Sequence, residues 1–130
     1  MKKTLEFLKK AGTFYLATTD GNQPRVRPFG AATEYQGKLY LCTSNTKACF
    51  MQMKSNPKVE ISAVIGEEWI RLAGEVKVDD SKAARAAVLE DNPFLKNMYS
   101  PDDGVFEVFF FTRGTTTFCS FSGTTATEQL

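Results

Sequence analysis

Between Gly21 and Pro57 the chain carries the residues best suited to holding an anion. Arg25 and Arg27, in the run Arg-Val-Arg-Pro, stand two apart on a presumptive strand, so both side chains share one face. Thr43, Ser44 and Lys47 fall in the run Thr-Ser-Asn-Thr-Lys, where the next strand passes into a helix. A helix start offers unpaired backbone N–H groups and the positive end of the peptide dipole, flanked here by hydroxyls and an ammonium group. Phosphate dianions are held by charge-assisted hydrogen bonds, so these residues in this order predict a phosphate cradle. Each part also has a plainer reading: the two arginines as solvated charges on a hairpin, and Thr43 and Ser44 as helix caps.

What is missing narrows the chemistry. The chain has no histidine, which removes Ser-His-Asp and Cys-His nucleophile systems, His-ligated metals and haem with an axial His. Cys42, Cys49 and Cys119 are odd in number and contain no Cys-x-x-Cys pair, which suits buried thiols in a reducing compartment; neither a disulfide framework nor a metal site is expected. Glu67, Glu68, Asp102 and Asp103 read as solvated turn acids, and no catalytic side chain is assigned. Any redox chemistry would belong to an organic cofactor. A net charge of +1 gives no general attraction to nucleic acid or acidic lipid. No apolar run approaches the roughly 20 residues that span a bilayer. Met1-Lys2-Lys3 leads into an amphipathic segment, so a cytoplasmic protein is expected.

Elements must then position the cradle. The length of 130 residues suits a single domain over residues 1–130. Thr4 to Lys10 reads as a helix stopped by Gly12, lidding one end of a sheet. Thr13 to Thr19 and Arg25 to Glu34 form a hairpin around Asp20-Gly21-Asn22, with Pro28 interrupting the return strand. Leu39 to Thr43 is a strand, Lys47 to Ser55 a helix stopped at Asn56-Pro57, and Val59 to Ile65 a buried strand. Trp69 to Val78 follows, with Trp69, Arg71, Ala73 and Glu75 on one face. Ser81 opens an alanine-rich helix that ends near Asn92-Pro93. After a short helical piece and the turn Ser100 to Gly104, two strands are expected, Val105 to Thr112 and Thr115 to Ser122, joined at Arg113-Gly114, and then a polar tail. The class is α+β, mainly β: a small closed or split β-barrel of six or seven mostly antiparallel strands with a few short helices.

This order resembles the FMN-binding split barrel family that includes pyridoxamine 5'-phosphate oxidase, in particular its short, general members. The resemblance rests on Thr13 to Thr18, Gln23-Pro24-Arg25-Val26-Arg27-Pro28-Phe29, Gly37-Lys38-Leu39-Tyr40, Thr43 to Lys47, Asn56 to Glu60 and Trp69 to Val76. It implies a homodimer with FMN at the subunit interface, Arg25 and Arg27 on the strand supporting the flavin and its phosphate, and Pro28-Phe29 backbone against the ring. It further implies that Thr43, Ser44 and Lys47 form the phosphate turn and that Trp69 or Arg71 contacts the ring. Lacking histidine and the oxidase's C-terminal extension, the chain is not expected to oxidise vitamin B6. The expected function is an oxidoreductase passing electrons from a reduced nicotinamide to a small acceptor. The alternatives are a non-catalytic flavin store or sensor, and a deazaflavin-binding barrel; haem is disfavoured.

Overall fold

In a computed structural model that describes residues 1–130, eight strands and three α-helices follow one another along the chain. They are α1 (Lys2–Ala11), β1 (Phe14–Asp20), β2 (Gln23–Phe29), β3 (Thr33–Tyr35), β4 (Lys38–Ser44), α2 (Ala48–Ser55), β5 (Lys58–Ile65), β6 (Glu68–Asp79), α3 (Lys82–Asp91), a 3-10 turn (Pro93–Asn97), β7 (Phe106–Ser120) and β8 (Gly123–Gln129). All ladders are antiparallel, in the order β2-β1-β5-β6-β7-β4-β3, with β8 added on β7. The mainly-β α+β class is as the sequence predicts.

Local chemistry accounts for most boundaries. Gly12, at φ 78°, ends α1 and donates its N–H to Leu8 O, in a conformation open to glycine. Ser81 Oγ accepts the Ala84 N–H at 3.1 Å and caps α3. The Asp103 carboxylate accepts the N–H groups of Ser100, Val105 and Phe106, fixing the turn before β7.

Three differences from the expected strands have tertiary causes. The return strand predicted from Arg25 to Glu34 is broken: β2 pairs with β1, whereas β3 pairs with β4. β2 and β3 are thus opposite ends of the strand order, yet only Gly30 to Ala32 join them. Four Cα steps reach about 14 Å at most, so the sheet curls until its two edges nearly meet. The residues expected as two strands joined at Arg113-Gly114 form one strand of 15 residues, β7. Its register shifts opposite Glu75 and Val76, so Arg113-Gly114 lies next to a bulge and makes no hairpin turn. The polar tail is β8, pairing Thr115–Ser120. These changes bring the strand count to eight.

Successive residues of β4 and β7 serve different cores. Leu39, Leu41, Phe109 and Phe111 join the larger apolar cluster with Leu16, Ile61 and Leu72, while Tyr40, Phe106 and Val108 pack with Ala84, Val88 and Leu89 of α3. Alternation along a strand sends neighbours to opposite faces, so the middle of the sheet is buried on both sides.

Glu128 on β8 anchors the start of α1. Its carboxylate accepts the Thr4 hydroxyl at 2.6 Å and the N–H groups of Thr4 and Lys3, with the Met1 amino group 2.8 Å away. Burial alone would raise its pKa, but these donors hold it down at about 2. A carboxylate lower in the folded than in the unfolded state stabilises above its unfolded pKa, near 4.5, and that contribution is lost as pH falls toward 2. Glu128→Gln is therefore expected to cost on the order of 2 kcal/mol at pH 7, and the gap to the parent should close in urea titrations below pH 3. An equal gap at both pH values would refute the charge effect.

Candidate functional site

Where the curled edges approach one another, a cleft of about 340 Å³ opens. One wall is the end of β2 with the connecting residues, Arg27 to Ala31; the floor is Cys42 and Thr43 of β4 with Lys47, Ala48 and Cys49. The far wall is apolar, built by Phe94, Leu95, Met98 and Tyr99 around the 3-10 turn, together with Phe106. Tyr99 and Phe106 pack ring to ring at 5.0 Å.

The floor is built by the strand-to-helix turn. Asn45 fixes it, donating its side-chain amide to Gly104 O and Glu107 Oε2, and its N–H to Val105 O. Lys47 has extended backbone and stands directly before α2, whose first turn holds no acidic residue. The opening N–H groups of that helix have no partner within it. Lys47 takes part in none of the ion pairs of the structure. Burial pushes the Cys42 thiol up to about 12, and the Lys47 charge opposes that shift, so the ammonium group acts on the cleft interior. Thr43 Oγ1 lies 3.7 Å from Cys49 Sγ.

Arg27 reaches the same cleft held by neutral oxygens. Its Nη1 donates to Thr18 Oγ1 at 2.7 Å and to Leu16 O at 3.3 Å, and its Nη2 donates to Gln52 Oε1 at 2.6 Å. Thr18 in turn donates to Gln52 Oε1 at 2.6 Å. No carboxylate pairs with Arg27 either.

Of the residues picked out in the sequence, Arg27, Pro28, Phe29, Thr43 and Lys47 meet at this cleft. Arg25 pairs with Asp20 at 3.3 Å on the exposed hairpin. Ser44 is buried beside the cleft, its hydroxyl 2.7 Å from that of Thr46, and it does not cap α2. Trp69 and Arg71 lie on β6, outside the cleft lining; Trp69 packs edge-on against Phe121 at 5.5 Å. Sequence reasoning missed Thr18 and Gln52, which lie 9 and 25 residues from Arg27. It also missed the wall of Phe94, Met98 and Tyr99, because a 3-10 turn has no periodicity that announces a binding face.

The chain is a curled antiparallel split barrel, with a cationic cleft free of carboxylates where its edges meet. The chain belongs to the pyridoxamine 5'-phosphate oxidase family, whose profile matches residues 1–110. A NimC/NimA family protein from Clostridium acetobutylicum is 57% identical over 100% of this chain and 93% of its own, with a TM-score of 0.96. Two more distant structures share the fold. A pyridoxamine 5'-phosphate oxidase-related FMN-binding protein from Nostoc punctiforme is 16% identical, with a TM-score of 0.66 over 99% of this chain and 93% of its own. The haem storage protein HutZ from Vibrio cholerae is also 16% identical, with a TM-score of 0.65 over 85% of this chain and 87% of its own. No curated protein matches the sequence. No helix is long and apolar enough to cross a membrane.

Proposed function

We propose that this protein binds FMN as a homodimer and acts as an oxidoreductase between a reduced nicotinamide and a small acceptor. The observation that carries the reading is the cleft itself, where Lys47 and Arg27 offer two cations with no carboxylate to neutralise them. The donor set suits FMN: Lys47, Thr43 and the start of α2 for the phosphate, and the Pro28–Ala31 backbone with the apolar far wall for a flat ring. When bound, the flavin supplies the electron-carrying chemistry, and the protein supplies orientation and charge. Haem fits less well. There is no histidine to serve as an axial ligand.

The dimer is supported by the outer face of the sheet. Val26, Val64 and Phe121 are 68%, 62% and 83% exposed, and Tyr15 is half exposed. Ladder register aligns Pro28, Tyr15, Ser62 and Arg71 across β2, β1, β5 and β6, so this face runs from the cleft edge to Arg71. Monomers seldom leave so much apolar surface bare. A second copy on this face would account for Trp69 and Arg71 as flavin contacts made across the interface.

The test is reconstitution. Protein incubated with FMN and desalted should retain about one flavin per chain, with shifted and vibronically resolved visible bands, and should run as a dimer. Dilution below the dimer constant should release the flavin. A chain that refuses FMN overturns the reading, and a tightly flavinated monomer overturns its dimeric part. The cleft lining contains no carboxylate to serve as acid or base, which favours a non-catalytic flavin module as the second reading. Flavin reduction by a nicotinamide followed by reoxidation far faster than that of free FMN would exclude that module.

A further inference from the structure

Arg27 is held in an unusual way for a cation on a strand. A guanidinium has five N–H donors along a planar fork. Three are taken inside the protein: both on Nη1, by Thr18 Oγ1 and Leu16 O, and one on Nη2, by Gln52 Oε1. Every acceptor is a neutral oxygen. The two donors left over are Nε–H and the remaining N–H of Nη2, which lie side by side on one edge of the fork. That edge matches two oxygens of a phosphate or carboxylate. Gln52 Oε1 also accepts the Thr18 hydroxyl, so a single amide oxygen ties β1, β2 and α2 together behind the arginine.

We propose that Gln52 is the positioning residue of the cleft. Together with Thr18 it occupies the inner edge of Arg27 without neutralising it, and so presents the Nε/Nη2 edge, at full charge, to an oxyanion. The inference rests on the FMN reading, with the flavin phosphate as that oxyanion. An amide is required at this position by its charge as much as by its shape. A carboxylate in the same place would hold the guanidinium as firmly, but would cancel the charge that the ligand needs.

Gln52→Glu separates these two properties. The variant keeps the shape and adds an ion pair to Arg27, so its melting temperature should equal or exceed that of the parent. Its FMN affinity, read by flavin fluorescence quenching, should fall about tenfold or more, the scale of a charged hydrogen bond, while its riboflavin affinity stays unchanged. Gln52→Leu, which lacks the acceptor, should lose FMN affinity as well, with a lower melting temperature. A merely structural role would tie affinity to stability, and Gln52→Glu would then bind as the parent does. That result overturns the inference and leaves the FMN reading standing. An equal loss for riboflavin and FMN also overturns it, since Arg27 would then serve the ring. A parent that binds no FMN overturns both.

Discussion

Lys47→Ala is expected to weaken FMN binding by about 1.5–3 kcal/mol, roughly ten- to more than a hundredfold in dissociation constant. The lysine stands at the start of α2, in a turn without acidic residues, and pairs with no carboxylate. Its charge is therefore uncompensated until an anion enters, and the whole charge-assisted bond is lost on truncation. Fold stability should hardly move, because the side chain neither caps the helix nor bridges to another element. Arg27→Ala should lose a similar amount of affinity. There the fold is touched too, since Gln52 and Thr18 lose a shared partner. Isothermal titration with FMN and riboflavin, beside thermal melts, checks both variants. If both bind FMN as tightly as the parent, the phosphate is held elsewhere.

Gly74→Ala should be the most damaging alanine substitution among the glycines of the chain, costing about 3 kcal/mol and lowering the melting temperature by about 10 °C. A Cβ built at Gly74 lies 2.4 Å from Arg113 O, 2.9 Å from Phe111 Cδ2 and 3.0 Å from Gly114 Cα. Two of those three atoms are backbone, so no rotamer change relieves the contact. Gly74 faces Gly114 across the β6–β7 ladder, next to the register shift at Glu75 and Val76. Gly114→Ala is the control. Its two nearest neighbours are the ends of the Leu72 and Leu130 side chains, at 3.0 and 3.2 Å, and its one backbone neighbour, Ala73 O, stands at 3.3 Å against 2.4 Å for the backbone oxygen at Gly74, so its loss should be clearly smaller. Equal melting temperatures for the Gly74 variant and the parent would show that the bulge relaxes freely.

Much of the site could be read locally because its chemistry is local. The Thr43 to Lys47 run marks a strand-to-helix passage whether or not anything is known of the rest of the chain, and Lys47 proved to be a cleft cation. Arg25 and Arg27 share a face by period alone, and that fact could not separate them. Arg25 turns back to Asp20 of its own hairpin, whereas Arg27 meets Gln52 from a helix 25 residues away. Only the packing of α2 against β1, which sets Gln52 beside Arg27, distinguishes a solvated charge from a positioned one.

The strands show the same division. Alternation in β5 and β6 and the turn signal at Asp20-Gly21-Asn22 depend on neighbours in sequence, and β5, β6 and the β1–β2 turn stand where they were expected. A Gly next to an Arg reads as a turn by composition, yet Arg113-Gly114 sits inside a continuous strand, because β6 pairs with both residues, Arg113 opposite Glu75 and Gly114 opposite Gly74. The polar tail likewise carries no hydrophobic period, and becomes β8 because the far half of β7 presents an unpaired edge. By itself the sequence determined the mainly-β class, the elements from β4 to α3 and the cationic turn, since propensity, period and capping act over a few residues. The curl that brings the edges of the sheet together, the cleft at that split and the clamp on Arg27 were decided by tertiary structure alone, because each depends on contacts between residues far apart in the chain.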